Sequence, residues 1–544
     1  MVGTYASAAL ICAASLLVGR CVLALSGRSA WSWLEPAVGF ATLLTVAGLL
    51  AHAPGSAATA TVGLAALVAV AGARAACRPA GSRVTWREGL PVVVILMLAL
   101  SLPFATSGFW GLPGTGNLQM HLNWAGSLHE GAHATLPAGL PLGPHGLASA
   151  AAAVPGIGLS QALVGEAVAI ILLGGLTALG AIGHMGAIRR TVAAVLVALP
   201  YLVASSFAQG ALRGTAGALF VLATGIFLLQ IERRETAGAG APEALSPAAE
   251  AAAPTRAALA PLALAGGVFF SNGLVGLVWP LAIVGRWSLN RTDVRDALRP
   301  RSLVGPRRQR PPALAMLVVL AALAIVAIVA GPWDLDEIAA QEALASVSAI
   351  EGLGIWPSAS HGSSLPGIHL AGAAAVLTTA IGLFWWVRRR EAALPVAFGV
   401  SFAIYLLAPV FGGRYSAAQA LAIVAPVAML VAVRPVLEET GPGTTPLRRD
   451  WPRIPSIPWT PPHRVGWAIL AIAFIGGAVY SSFLALRDAP VTPADRETCC
   501  RGASLELGAS PLRSPGQSWY QTGKPSAIDV RAYSAPASRS SSTV

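Results

Sequence analysis

Charge is scarce in this chain. Only 11% of its 544 residues are Asp, Glu, Lys or Arg, roughly half the share usual in a soluble domain. That leaves too little polar surface to coat a water-soluble globule of this size. Cysteine is nearly absent, five in all. Cys12, Cys21 and Cys77 lie in or beside apolar runs, and Cys499 and Cys500 are neighbours in a polar tail, a spacing that suits neither a disulfide framework nor a metal site. Lysine is reduced to Lys524, so basic charge here means arginine. The arginines sit in short clusters between apolar runs and not along one continuous face, which argues against nucleic acid as a partner despite the formal net charge of +12. The first apolar run contains Arg20 and has neither a basic start nor a small-residue cleavage site, so it reads as a retained helix and not as a signal peptide.

What fills the chain is apolar sequence, 55% of it, in runs of roughly 18 to 25 residues, the length that crosses a bilayer as a helix. These runs predict an all-α polytopic membrane protein of about 13–14 transmembrane helices, its solvent the lipid bilayer. The spans fall near 5–26, 36–53, 57–77, 89–107, 160–183, 191–208 and 213–231, then 257–286, 313–331, 367–387, 392–411, 416–434 and 466–486. Arg74, Arg78, Arg83 and Arg87 put the loop after the third span on the cytoplasmic side. The loop 108–159, without Lys or Arg, is then external, as is 332–366, which carries Asp334, Asp336, Glu337, Glu342 and Glu351. The run 257–286 does not fit as one crossing, because that would place Arg286 through Arg310 outside. Its Ser271-Asn272-Gly273 turn signal predicts that it goes in and comes back, as two short helices or a re-entrant hairpin. The chain thus divides into a three-helix membrane segment (1–88), a transmembrane core (89–487) and an external tail (488–544) without periodicity. Residues 236–255 read as a flexible cytoplasmic linker.

Within the first external loop, residues 117–131 have a helical pattern: Leu118, Leu122, Ala125 and Leu128 share one face, with His121 and His129 beside it. Gly131 is placed to end that helix. Such a helix lies along the membrane surface or the bundle and presents polar groups to a cavity. The histidines His129, His133 and His145 are separated by Gly and Pro turns and show no ligand spacing, so no metal site is assigned, a divalent cation being the lesser reading. Glu166, Gln161 and Asn272 are polar residues at membrane depth, a costly placement that often marks function.

An outward helix, the motif His-Leu-x-Trp-Ala-x-x-Leu-x-x-Gly running from His121 to Gly131, a Pro/Gly-rich stretch and a long helix from about Leu159 together resemble the core of the GT-C glycosyltransferases. The resemblance is to the large membrane proteins of high-GC bacteria related to the family 39 and lipopolysaccharide-core-type enzymes. Further matches lie in Ala198-Leu199-Pro200-Tyr201 leading to Ala208-Gln209-Gly210, in Gly276-Leu277-Val278-Trp279-Pro280, in Leu353-Gly354-Ile355-Trp356-Pro357-Ser358, and in Arg414 through Leu421. The resemblance implies transfer of a sugar from a polyprenyl-phosphate donor to a cell-envelope glycan, lipid or protein acceptor, on the outer face of a bacterial cytoplasmic (inner) membrane. No cofactor is assigned. Such a reaction needs a base for the acceptor hydroxyl and cationic or amide donors for the departing phosphate. The family places its acid near the start of the first external loop. Here that stretch is Gly114-Thr115-Gly116-Asn117, and no acid occurs between Glu88 and Glu130. His121, Glu130 and Asp334 are therefore the catalytic candidates. Asn117, Gln119, Trp124, Gln209, Arg213, Arg414 and Tyr415 are the substrate-binding candidates. Arg213 and Arg414 run against the positive-inside bias, and arginine suits bidentate phosphate contact. The alternatives are a transporter or flippase of lipid-linked sugars and a catalytically inactive protein of the same fold.

Overall fold

The computed structural model describes residues 1–28, 31–53, 56–76, 86–107, 111–113, 116–132, 136–137, 139–238, 258–289, 348–354, 368–389, 391–438, 461–487 and 491–493. The expected linker 236–255 for the most part, the span 313–331, Asp334 and the tail beyond residue 494 lie outside them. Residues Met1–Ala494 form one compact unit, an all-helical multi-pass membrane assembly.

The helices are α1 (Val2–Leu25), α2 (Glu35–Ala51), α3 (Ser56–Ala76), α4 (Trp86–Ser107), α5 (Gly116–His129), α6 (Gly143–Ala152) and α7 (Leu159–Ile182). They continue with α8 (Ala187–Ala198), α9 (Tyr201–Ala208), α10 (Leu212–Gly238), α11 (Leu259–Leu289), α12 (Ile368–Arg388), α13 (Ala393–Leu437) and α14 (Pro461–Arg487). A single antiparallel pair, β1 (Gly111–Pro113) with β2 (Val491–Pro493), joins the first loop to the chain after α14. Among the described residues nine helices are long and apolar enough to cross a membrane, or ten if the bent pair α8–α9 is one span. The sequence suggests a single span at 191–208. The observed 50° bend falls at Leu199-Pro200, because Pro lacks the amide proton and clashes with the preceding turn.

Three helical segments form the centre. Leu159–Ile182, Leu212–Arg234 and Ala417–Leu437 are apolar all round and almost wholly buried, as expected of helices that meet protein on every side. α3, α4 and α14 bury only a stripe and turn Val62, Val70, Met97, Ile472 and Phe483 outward, the faces that contact lipid. α1 and α2 share the central hydrophobic core. Their backbones nearly touch where Gly19 meets Gly39, since a Cβ on either would lie within 2 Å of a carbonyl oxygen of the other helix. Small residues permit that close approach in lipid, where van der Waals packing does the work that water does elsewhere.

Two helices fold back on themselves. In α11, Gly273 has φ 68° and ψ −161°. A Cβ at Gly276 would lie 3.1 Å from the Val268 carbonyl, whereas eight residues of continuous helix would separate the two by about 12 Å. Pro261, Leu264 and Ala265 of the first leg and Pro280 and Val284 of the second also line one small cavity. The element is a hairpin with its tip at Ser271-Asn272-Gly273, where the turn signal is. In α13, Glu391 just before the helix and Arg434 near its end form an ion pair of 2.8 Å, although continuous helix would hold them roughly 65 Å apart. Its legs Ala393–Pro409 and Ala417–Leu437 therefore run antiparallel, as the two expected spans 392–411 and 416–434 require.

Both hairpins open toward one arginine-rich end of the bundle. There Glu391 joins Arg233 at 3.1 Å and Arg434, while Glu438 joins Arg389 at 2.7 Å and His184 at 3.4 Å. The Arg434 guanidinium lies 4.1 Å from the Trp386 ring. Glu232 accepts from the Trp287 indole N–H and the Ala393 amide. This network holds the ends of α10, α11, α12 and both legs of α13 together.

Candidate functional site

The opposite end carries a different chemistry. α5 buries Leu118, Ala125 and Leu128, the face its periodicity predicts. It stops in a paired turn: the Ala132 amide donates to the Ser127 carbonyl, the Gly131 amide to the Leu128 carbonyl, and Gly131 has φ 76°, the left-handed position that glycine occupies at helix ends. α6 enters through Pro144 in its first turn. It lodges so closely that a Cβ on Gly143 would come within 2.6 Å of the Phe270 carbonyl at the α11 tip. These two helices set His121 and His145 side by side.

Both imidazoles are fully buried. His121 Nδ1 lies 3.0 Å from His145 Nε2, and His145 Nδ1 lies 3.3 Å from the Pro141 carbonyl. A carbonyl only accepts, so His145 carries its proton on Nδ1 and offers its Nε2 lone pair to the Nδ1–H of His121. In that neutral chain the Nε2 of His121 carries a lone pair. Burial, then the neighbouring His145 and Arg213, hold His121 well below the usual imidazole range. Burial and Arg213 bring His145 down to about 3. Trp124 stands edge-on to both rings, at 5.5 and 5.6 Å between centroids. Ser149 donates to the Ala125 carbonyl and ties α6 to α5.

Arg213 completes the cluster. α9 ends in the same kind of paired turn, at Gly210 with φ 70°, which reverses the chain and delivers Arg213 into the first turn of α10. Its side chain is buried, 7% exposed, with the guanidinium 5.4 Å from the Trp124 ring. A cation in a helix's first turn opposes the macrodipole, and this one also depresses two imidazoles. The position favours an incoming anion.

The sequence-derived candidates separate accordingly. His121, Trp124 and Arg213 converge. Asn117 is buried at the start of the same helix. Glu130 is exposed at the end of α5, nine residues and about 13 Å along the axis from His121, and is not brought to the pair. Gln119 faces outward and bonds Asn123. Gln209, half-buried, donates to Ser205 at 3.0 Å. The side chains of Arg414 and Tyr415 lie outside the described residues. Among the described residues no three His, Cys, Asp or Glu side chains are grouped to hold a metal. Gln161 caps α7 by accepting from the Gly158 amide. Glu166 is fully buried, and neither carboxylate oxygen has a hydrogen-bond partner among the described residues.

Two residues carry more than the sequence suggests. His145, considered there only as a metal ligand, is the partner of His121; nothing in a 24-residue separation across Gly and Pro turns announces that contact. Glu351 is 5% exposed in a short 3-10 turn whose Gly352 packs on Leu421. Burial raises its carboxyl against the Ser348 amide and hydroxyl that donate to it.

The geometry defines a multi-pass helical membrane protein with a buried His-His-Arg-Trp cluster at one end. No protein-family model matches the chain, and no curated protein does. Two solved structures of an oligosaccharyltransferase from Archaeoglobus fulgidus are similar in backbone, both at 13% identity over 80% of this chain and 62% of theirs. The apo form has a TM-score of 0.40, and the complex with an inhibitory peptide and a dolichol-phosphate has 0.34. The chain thus spans less than two thirds of that protein, and so distant a likeness transfers no residue role.

Proposed function

We propose that the protein is a GT-C-type glycosyltransferase. In this reading it moves a sugar from a polyprenyl-phosphate donor to an acceptor at the outer face of a bacterial cytoplasmic membrane. The clustering of arginines at one end of the bundle supports a cytoplasmic position for that end under the positive-inside rule, and with it an outer-face position for the histidine cluster. The observation that carries the reading is the neutral His121–His145 chain next to Arg213. His121 Nε2 takes the proton of the acceptor hydroxyl as that oxygen attacks the anomeric carbon, and the bond to the phosphate oxygen breaks. The Arg213 guanidinium, set in the first turn of α10, holds the departing phosphate dianion. His145 positions His121 by fixing its tautomer. A protonated histidine would not serve, and burial beside Arg213 keeps the pair neutral near pH 7.

The test is transfer of radiolabelled sugar from a panel of prenyl-phosphate sugars by the full-length protein in liposomes. Arg213→Ala and His121→Ala should each lower the rate by about 100-fold or more. Absence of transfer from every donor, with labelled lipid crossing the bilayer instead, would favour a flippase. A transporter would be favoured by two matched broken helices; the interrupted elements among the described residues, the proline bend of α8–α9 and the glycine turn of α11, are of different kinds, which supports the enzyme.

A further inference from the structure

The tip of the α11 hairpin is polar where its surroundings are not. Asn272 donates to Ser271 Oγ at 2.8 Å and accepts from the Gln419 amide at 3.2 Å. Its amide nitrogen would lie 3.2 Å from a Cβ on Gly217, one helical turn along α10 from Arg213. On its other side the tip abuts Gly143, two residues before His145. Asn272 and Gln419 are only half-buried, although Ser271, Gly273, Ala417, Ala418 and Ala420 around them are buried. The amide pair thus keeps some surface accessible at a level of α10 one turn from Arg213. Val275 and Val278 stand exposed on the adjoining leg, so the hairpin presents an apolar face next to its polar tip.

An uncharged pair of amides, each with donor and acceptor capacity beyond the bond they share, suits a ligand of many hydroxyls and not an anion or a cation. Resting on the glycosyltransferase reading, we infer that Asn272 and Gln419 bind the sugar of the lipid-linked donor and select its hydroxyl configuration, while Arg213 holds the phosphate. The hairpin tip is thus a specificity element inserted from the cytoplasmic side. Its bond to Gln419 sets the reach of Asn272.

The experiment is equilibrium binding of prenyl phosphate and of its glucosyl, mannosyl and galactosyl forms to the full-length protein in nanodiscs. Mannose and galactose each differ from glucose by a single epimeric hydroxyl. Wild type should prefer one epimer about tenfold or more over bare prenyl phosphate. Asn272→Ala and Gln419→Ala should abolish that preference and the ranking of epimers, with bare prenyl phosphate bound within about twofold of wild type. Gln419→Glu, which preserves size but removes the donor to Asn272, should change the ranking even where Gln419→Ala is too unstable to purify. An unchanged ranking in the folded variants, or equal binding of bare and glycosylated lipid by wild type, overturns the sugar assignment and leaves the phosphate site standing. Failure of wild type to bind any of the four lipids overturns both.

Discussion

The two ends of the bundle solve the problem of polar groups in a membrane protein in opposite ways. At the arginine-rich end charge is matched: Glu391 lies between Arg233 and Arg434, and Glu438 between Arg389 and His184. At the far end the histidines are neutral, the amides uncharged, and Arg213 is held against a helix dipole and an aromatic ring. Matched charge fixes helix ends and is finished in itself. In the proposed reading the Arg213 end is the one that a ligand completes, and the arginine-rich end is scaffold.

The contrast breaks most readily at its stable end. Arg434 is 2% exposed, so Arg434→Ala takes away one of the two guanidinium partners of Glu391 and leaves it Arg233 alone, which should cost about 1–3 kcal/mol, read as a fall in the midpoint of thermal unfolding in detergent. A loss no larger than that of Arg213→Ala would remove the distinction between the ends. His145→Leu should lower transfer by roughly 10- to 100-fold with little change in the unfolding midpoint, since it releases the tautomer of His121 but keeps the space filled. Gly273→Ala forces a side chain into a positive-φ, extended conformation and should destabilise by about 1–3 kcal/mol. If it leaves the midpoint unmoved, the fold-back of α11 is absent.

Acid should separate the ends in order. The histidines have folded-state values below the unfolded 6.5, so the unfolded chain binds protons first. Their contribution is complete above that value, and stability falls as pH drops below about 6.5, continuing toward 3 for His145. At the other end burial pushes Glu391 up, but Arg434 and Arg233 outweigh it and hold the carboxyl below its ordinary 4.5. Glu438 behaves alike through His184, Arg434 and Arg389. Their stabilisation is present above 4.5 and lost as pH falls through the lower folded values. Hydrogen exchange at pH 5 should therefore show α5 and α6 loosened and the ends of α10 and α13 protected; the reverse order would refute the assignment. The smallest effect is a gain: Glu166→Leu should stabilise by about 1 kcal/mol or more, because it removes a buried acid without a hydrogen-bond partner among the described residues.

Much of the scaffold was legible because lipid imposes a length and a sign. Apolar runs mark the helices, and the arginines after residue 285 together with the Ser271-Asn272-Gly273 turn signal mark 257–286 as a segment that turns back. The turn residues were equally readable: Gly131 and Gly210 both end helices in the left-handed conformation expected of them. The proposed site was half legible. His121, Trp124 and Arg213 stand out by residue type and by their place against the charge bias. Glu130 looked suitable by composition, but its register puts it at a solvated helix end, one face and two turns from the histidine. His145 and Gln419 depend on contacts between segments far apart in sequence, where no local period operates.

The short pair of strands ties an early segment to a late one. Gly111–Pro113 emerges early in synthesis, yet its partner Val491–Pro493 follows α14. The seam just ahead of α5 can therefore close only once α14 has been made, and a chain that stops short of residue 491 lacks it.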